Sequence, residues 1–346
     1  MYPLKFDPCY QEKVWGGRRL AEVLDKKLPP GLIGESWEVA DHPHGQSKIK
    51  NGRFAGLTIS QVLNNHSKEV LGREKTTARG EFPLLVKFLD ARQKLSVQVH
   101  PGDDYAASQE EGESGKTEMW YILEAEPGAE LIYGLKRGTN RNDFHRAVKE
   151  KRVLDLLNRI KVQKGDAIFL PPGKVHAICE GIVLAEIQQN SDLTYRIYDW
   201  DRTTEAGSRR ELHIESALEV IDFSSSDNSP LKTVCLEKEN NQREVLVSCR
   251  YFTVEVLSIT QGYQSKTRKG YHILNILEGE GSLWGGNFAG VDLKCGDSLL
   301  LPASLGNYQV AGKLKILKSS PQNPASLKKE LMRAGISPAR INKVIR

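Results

Sequence analysis

The chain has 346 residues, 39% apolar and 27% charged, with 30 glycines and 15 prolines, proportions that exclude a disordered, collagenous or coiled-coil protein. Its apolar runs fall far short of the about 20 residues needed to span a bilayer, and Met1-Tyr2-Pro3-Leu4-Lys5-Phe6-Asp7 has no apolar signal core, so a cytoplasmic protein with no membrane partner is expected. The net charge of +5 resides in the last residues, where Lys328, Lys329, Arg333, Arg340, Lys343 and Arg346 face only Glu330, which argues against nucleic acid as a partner of the main body.

In chain order, residues 57–70 carry a helical period, and 82–89, 95–99 and 119–123 are short runs of β-branched and apolar residues. Residues 142–160 return to a helical period, with Phe144, Val148, Val153, Leu156 and Leu157 on one side. Runs at 167–170 and 182–187, a helical stretch at 211–220, and runs at 252–259, 273–277 and 298–301 follow. Gly and Pro punctuate them closely, which predicts a mainly β fold of the barrel or jelly-roll kind with flanking helices. The low-complexity stretch 223–230 (Phe-Ser-Ser-Ser-Asp-Asn-Ser-Pro) reads as a linker. It separates a unit at 1–222 with helical insertions from a second β unit at 231–318, followed by a basic tail at 319–346. In the tail, Asn323-Pro324 and Ser337-Pro338 predict two short helices, because Asn and Ser cap and Pro fits the first turn. Leu327, Leu331, Ile341 and Val344 would pack them on the body. Cys9, Cys179, Cys235, Cys249 and Cys295 are odd in number, with no Cys-x-x-Cys pair, and are expected to be reduced packing thiols.

The two β units echo one another. Gly165-Asp166-Ala167-Ile168-Phe169-Leu170-Pro171 matches Gly296-Asp297-Ser298-Leu299-Leu300-Leu301-Pro302 without a gap. Upstream, Tyr121-Ile122-Leu123-Glu124-Ala125-Glu126 matches Asn275-Ile276-Leu277-Glu278-Gly279-Glu280. In the first copy Gly173 and His176 complete Gly-x5-Pro-x-Gly-x2-His; Ser304 and Asn307 stand there in the second. The pattern resembles the second signature motif of the cupin family, in which a Pro/Gly turn between strands aims the histidine into a barrel; the resemblance implies a metal in the first unit and its loss from the second. Period two puts Gln98 and His100 on one strand face and Val97 and Val99 on the other, and Glu118 adjoins the next run. Two imidazoles, a carboxylate and an amide oxygen form a donor set suited to one Zn²⁺ with an open position. His42, His44, His66, His145, His213 and His272 lack a partner at ligand spacing and read as structural or solvated. The five tryptophans read as packing.

Leu95-Ser96-Val97-Gln98-Val99-His100-Pro101, Gly115-Lys116-Thr117-Glu118-Met119-Trp120-Tyr121 and Tyr195-Arg196-Ile197-Tyr198-Asp199-Trp200-Asp201-Arg202 resemble type I mannose-6-phosphate isomerase in its short bacterial form. So do Lys13-Val14-Trp15-Gly16-Gly17 and Gly34-Glu35-Ser36-Trp37-Glu38-Val39. The resemblance implies two cupin-type jelly-roll barrels and zinc-dependent interconversion of mannose 6-phosphate and fructose 6-phosphate through a cis-enediol. It places one zinc on Gln98, His100, Glu118 and His176, the family's essential arginine on Arg196, and active-site basic positions on Lys116 and Arg202. For that chemistry Arg196 is expected to stabilise the enediolate, since its guanidinium keeps its proton. Glu186, alternating onto the face of Leu184 and Gln188, is expected to carry the proton. Lys116, Arg202 and Ser96 are expected to hold the phosphate. The expected partner is a phosphosugar substrate, and the chain a monomer or homodimer. Two alternatives stay open: a metal-dependent cupin oxygenase or decarboxylase, whose His-x-His pair is here Gln98-x-His100, and a non-enzymatic sugar-binding protein.

Overall fold

Short β-branched runs broken by Gly and Pro pair edge to edge as antiparallel strands through most of the chain. The structure, a computed structural model, describes all residues except 110–111, 204–206, 225–228, 239–240, 268–269, 287 and 322. The middle of the expected linker, 225–228, thus lies outside the described residues.

Two sheets make the amino-terminal half. One has the order Ala167–Leu170, Glu118–Ala125, Ile182–Gln189, Leu84–Ala91, Ile33–Val39, Cys9–Gly17; the other runs Leu157–Lys161, Glu130–Leu135, His176–Ile178, Val97–Val99, Tyr195–Tyr198. They face each other across a core in which Leu89, Trp120, Ile122 and Leu184 meet Leu131, Tyr133 and Ile178. The outer face of the five-stranded sheet buries Val97, Val99, Ala177 and Ile197 with Phe144 and Leu218 of the helices Arg141–Lys149 and Ile214–Val220. The outer face of the six-stranded sheet buries Val86, Phe88, Met119, Tyr121, Ala185 and Ile187 against Leu246, Phe252, Val254 and Leu317 of the second half. Period two then turns Lys87, Glu118 and Glu186 inward, between the sheets.

A ten-stranded sheet carries the second half and joins the chain's first strand: Leu4 pairs with Leu300 and Lys5 with Leu299. Its own core contains Leu257, Ile276, Leu299, Tyr308 and Ile316. The mainly β fold with flanking helices is as expected; the ladders themselves run as open paths. Glu38 pins the halves together, accepting from Lys26 Nζ at 2.6 Å and from Ser298 Oγ at 2.6 Å in full burial.

The sequence echo has a physical counterpart in the backbone. Gly165 and Gly296 both take positive φ, 94° and 82°, and donate to the carbonyls of Ile122 and Ile276, each at 2.9 Å. The Asp166 and Asp297 carboxylates each accept from the backbone N–H three residues earlier, again at 2.9 Å. The tail forms both expected helices: Asn323 Oδ1 accepts from Ala325 N–H at 2.8 Å to start Pro324–Arg333, Pro338–Ile341 starts without a side-chain cap from Ser337, and Leu327, Leu331, Ile341 and Val344 are buried with Val234 and Val245.

The expected helix at 142–160 requires correction. Arg141–Lys149 is helical, a 3-10 turn covers Val153–Leu156, and Leu157–Lys161 is a strand paired to Glu130–Leu135. Leu157 fits both a helical and an alternating pattern, and long-range pairing decided between them. All five cysteines are free, and no described helix is long and apolar enough to cross a membrane.

Candidate active site

Adjacent strands of the five-stranded sheet put His176 directly opposite Gln98, and Gln98 opposite Arg196. The turn before His176 depends on Gly173, whose φ is 81° and whose added Cβ would lie 2.7 Å from the Val220 carbonyl. Its N–H donates to the His100 carbonyl at 2.9 Å, tying the two histidine-bearing segments together. Glu118 enters from the facing sheet.

His100, Glu118 and His176 are fully buried, and one donor atom from each lies within 4.8 Å of the others. Each imidazole has its Nδ1 2.8 Å from a backbone carbonyl, Leu193 for His100 and Lys174 for His176. A carbonyl only accepts, so Nδ1 carries the hydrogen and Nε2 presents a lone pair to the cluster. His176 Nε2 is 3.3 Å from Glu118 Oε1, and His100 Nε2 is 3.8 Å from Oε2. The amide of Gln98 reaches in, its Nε2 3.5 Å from His100 Nε2 and 3.3 Å from His176 Nε2.

Burial lowers both histidines, His176 to about 4 and His100 well below its ordinary value, so both are neutral at neutral pH, the form that ligates metal. Burial raises Glu118, against the pull of Lys116. Neither Glu118 oxygen has a hydrogen bond of ordinary geometry, although Lys116 Nζ is 3.2 Å from Oε2. Convergent nitrogen lone pairs around an under-satisfied buried carboxylate fit a divalent cation.

The remaining expected residues fall into three groups. Ser96 and Lys116 adjoin the cluster: Ser96 Oγ is 3.4 Å from Gln98 Oε1, and Lys116, almost fully buried, has Nζ 3.3 Å from His100 Nε2. Glu186 lies on the inner face of the opposite sheet, accepting from Trp120 Nε1 at 2.8 Å and facing Lys87 Nζ at 3.4 Å. Arg196 donates through Nη1 to the Glu211 carbonyl at 2.9 Å, and its buried Nε has no partner among the described residues. Arg202 is turned to Asp199, with Nη2 at 2.6 Å, and to the Lys94 carbonyl at 2.8 Å. Arg210 shares Asp199, its Nε at 2.8 Å.

Sequence reasoning missed Lys87 and Glu35. Lys87 is 3.8 Å from Glu35 and lies over the Trp37 ring, 4.8 Å from its centroid. Burial alone would lower Lys87, but Glu35 and Glu186 hold it raised; the same ammonium keeps buried Glu35 low. The available signal was a lysine inside the apolar run Leu84-Leu85-Val86-Lys87-Phe88-Leu89, a position a charge occupies only with partners.

A family model described as phosphomannose isomerase type I, catalytic domain, matches residues 3–125, and one described as mannose-6-phosphate isomerase, cupin domain, matches residues 242–321. The chain is 40% identical over 311 residues to the mannose-6-phosphate isomerase ManA of Bacillus subtilis, covering 90% of this chain and 96% of that one. It is 36% identical over 317 residues to the mannose-6-phosphate isomerase of Streptococcus mutans, covering 92% and 98%. A crystal structure of the mannose 6-phosphate isomerase from Bacillus subtilis superposes with a TM-score of 0.86 at 34% identity, over 92% of this chain and 99% of that one.

Proposed function

The chain belongs to the type I mannose-6-phosphate isomerase family, and on that premise we propose that it interconverts mannose 6-phosphate and fructose 6-phosphate with one zinc ion held by His100, Glu118 and His176, with Gln98 beside them. The observation that carries this reading is the convergence of two neutral imidazoles and a buried carboxylate from facing sheets. When bound, the ion supplies a Lewis acid that polarises the substrate oxygens.

The reaction moves one proton between C1 and C2 through a cis-enediol, with the carbonyl and hydroxyl exchanging places, so atoms balance without a co-reactant. Glu186 takes the carbon-bound proton and returns it to the neighbouring carbon. Trp120 and Lys87 hold its two oxygens and thereby fix its direction. Arg196, in register with Gln98, and Lys116, beside His100, face the charge that develops on the reacting oxygens. The phosphate lies farther out. There Arg202 and Arg210 share the single charge of Asp199 and leave a net positive rim, while Ser96 adds a hydroxyl. Five free thiols accord with a reducing, cytoplasmic location.

The test is a coupled assay of mannose 6-phosphate turnover before and after chelation, with zinc added back. Loss on chelation and recovery with zinc is expected. Absence of turnover in zinc-replete protein rejects the isomerase reading; oxygen-dependent turnover with iron would favour the oxygenase alternative.

A further inference from the structure

The shared turn fixes a residue-by-residue correspondence between the halves, and the ladders carry it outward. Ile168 pairs with Trp120 as Leu299 pairs with Leu274. Trp120 pairs with Glu186 as Leu274 pairs with Lys318, and Glu186 pairs with Lys87 as Lys318 pairs with Glu255. One strand farther, Leu89 pairs with Glu35 as Leu257 pairs with Arg243. The charged triad Glu35, Lys87, Glu186 therefore corresponds to Arg243, Glu255, Lys318, with every sign reversed. Arg243 Nε donates to Glu255 at 2.6 Å and Lys318 Nζ at 2.8 Å.

The inversion extends to the candidate metal position. Leu170 pairs with Glu118 as Leu301 pairs with His272, and His176 pairs with Gln98 as Asn307 pairs with Lys266. Where the first half gathers acceptors that suit a cation, the second presents Lys266 and His272.

Arg243, Lys266, His272 and Lys318 line a cavity of about 1070 Å³. The tail helix closes it with one face, Ser326, Lys329, Glu330 and Arg333, and that helix lies beyond the match to the family's cupin domain, which ends at residue 321. Arg73, Lys266, Lys329 and Arg333 have no ion-pair partner among the described residues, and Glu74 and Glu330 are the carboxylates on the wall. Tyr271 also lines the cavity; it is fully buried, and its hydroxyl has no hydrogen-bond partner among the described residues. A buried hydroxyl left unpaired is destabilising, and a polar ligand would supply its partner. Ser265, Ser320 and His272 add groups suited to sugar hydroxyls.

We propose that this cavity is a second ligand site, specific for a phosphorylated sugar, with the phosphate on Lys266, Lys329 and Arg333 and the sugar hydroxyls on Tyr271 and His272. The site does not depend on the isomerase reading of the first half.

Lysine acylation of the full-length protein, read by mass spectrometry, tests it with glucose 6-phosphate, inorganic phosphate and glucose as probes. Glucose 6-phosphate should protect Lys266 and Lys329 but not Lys328, which is exposed on the same helix and absent from the cavity wall; glucose alone should protect neither. Tyr271→Phe and the double variant Lys266→Glu/Lys329→Glu should each bind about tenfold more weakly, judged by calorimetry, with a melting temperature of the free protein no lower than that of the parent. Equal protection by inorganic phosphate, uniform acylation of Lys328 and Lys329, or undiminished affinity in both variants overturns the proposal. Because the footprint is local to the cavity, failure here is distinguishable from failure of turnover at the first site.

Discussion

At the scale of single residues, the lone pairs of His100 and His176 and the charge of Arg196 should separate metal binding from rate. His176→Ala removes one of three convergent donors and should cost at least tenfold in zinc affinity, measured by competition with a chromophoric chelator. Arg196→Ala should keep its zinc yet lose about 100-fold or more in kcat, the usual scale for a lost electrostatic contact in the transition state; zinc loss in that variant would reassign Arg196 to structure. Glu186→Gln should likewise retain zinc and lose about 10²–10⁴-fold in kcat. His100, Glu118 and His176 were legible because their strands and turn obey local rules: period two placed Gln98 with His100, and Gly173 marked a turn that tolerates no Cβ. Lys87 was legible only as a misplaced charge in an apolar run; its partners Glu35 and Glu186 were not, because they come from strands distant in sequence.

Secondary-structure elements pose a different question, namely what each contributes by packing. Leu327 on the tail helix is fully buried, so Leu327→Ala should destabilise by about 2–5 kcal/mol in urea unfolding, whereas exposed Lys328→Ala should stay within about 0.5 kcal/mol. In the central strands of the second half, burial would raise Glu255, but Lys318 and Arg243 outweigh it and bring it down to about 2. A carboxylate lowered on folding stabilises fully above its unfolded pKa near 4.5 and loses that contribution as pH falls toward 2. Acid unfolding should therefore steepen between about pH 4.5 and 2, where this group contributes on the order of 3 kcal/mol. Glu255→Gln should remove that slope while leaving Lys318 buried without its counter-ion, Arg243 keeping Glu330; an unchanged acid profile would show that the pair does not form. Element type was mostly readable, as at Ala167–Leu170 and Ser298–Leu301. The failure at Leu157–Lys161 arose because its partner strand Glu130–Leu135 lies outside any local window.

For the whole molecule, the halves are joined by more than the linker. The buried Glu38, Lys26 and Ser298 contact and the shared apolar face of the six-stranded sheet make one cooperative unit the expectation. Zinc at 100 times its dissociation constant should add about 2.7 kcal/mol to that unit, seen as a single calorimetric transition moving upward together; two transitions, only one of them zinc-sensitive, would mean that the halves melt separately. Pairing of Leu4–Asp7 with Ser298–Leu301 has a bearing on biosynthesis. The Leu4–Asp7 strand leaves the ribosome long before its mate is translated, an interval of roughly 15–60 s at about 5–20 residues per second. Throughout that wait its Leu4 and Phe6 side chains lack their final burial, so a stalled nascent chain offers a chaperone a ready handle at that strand.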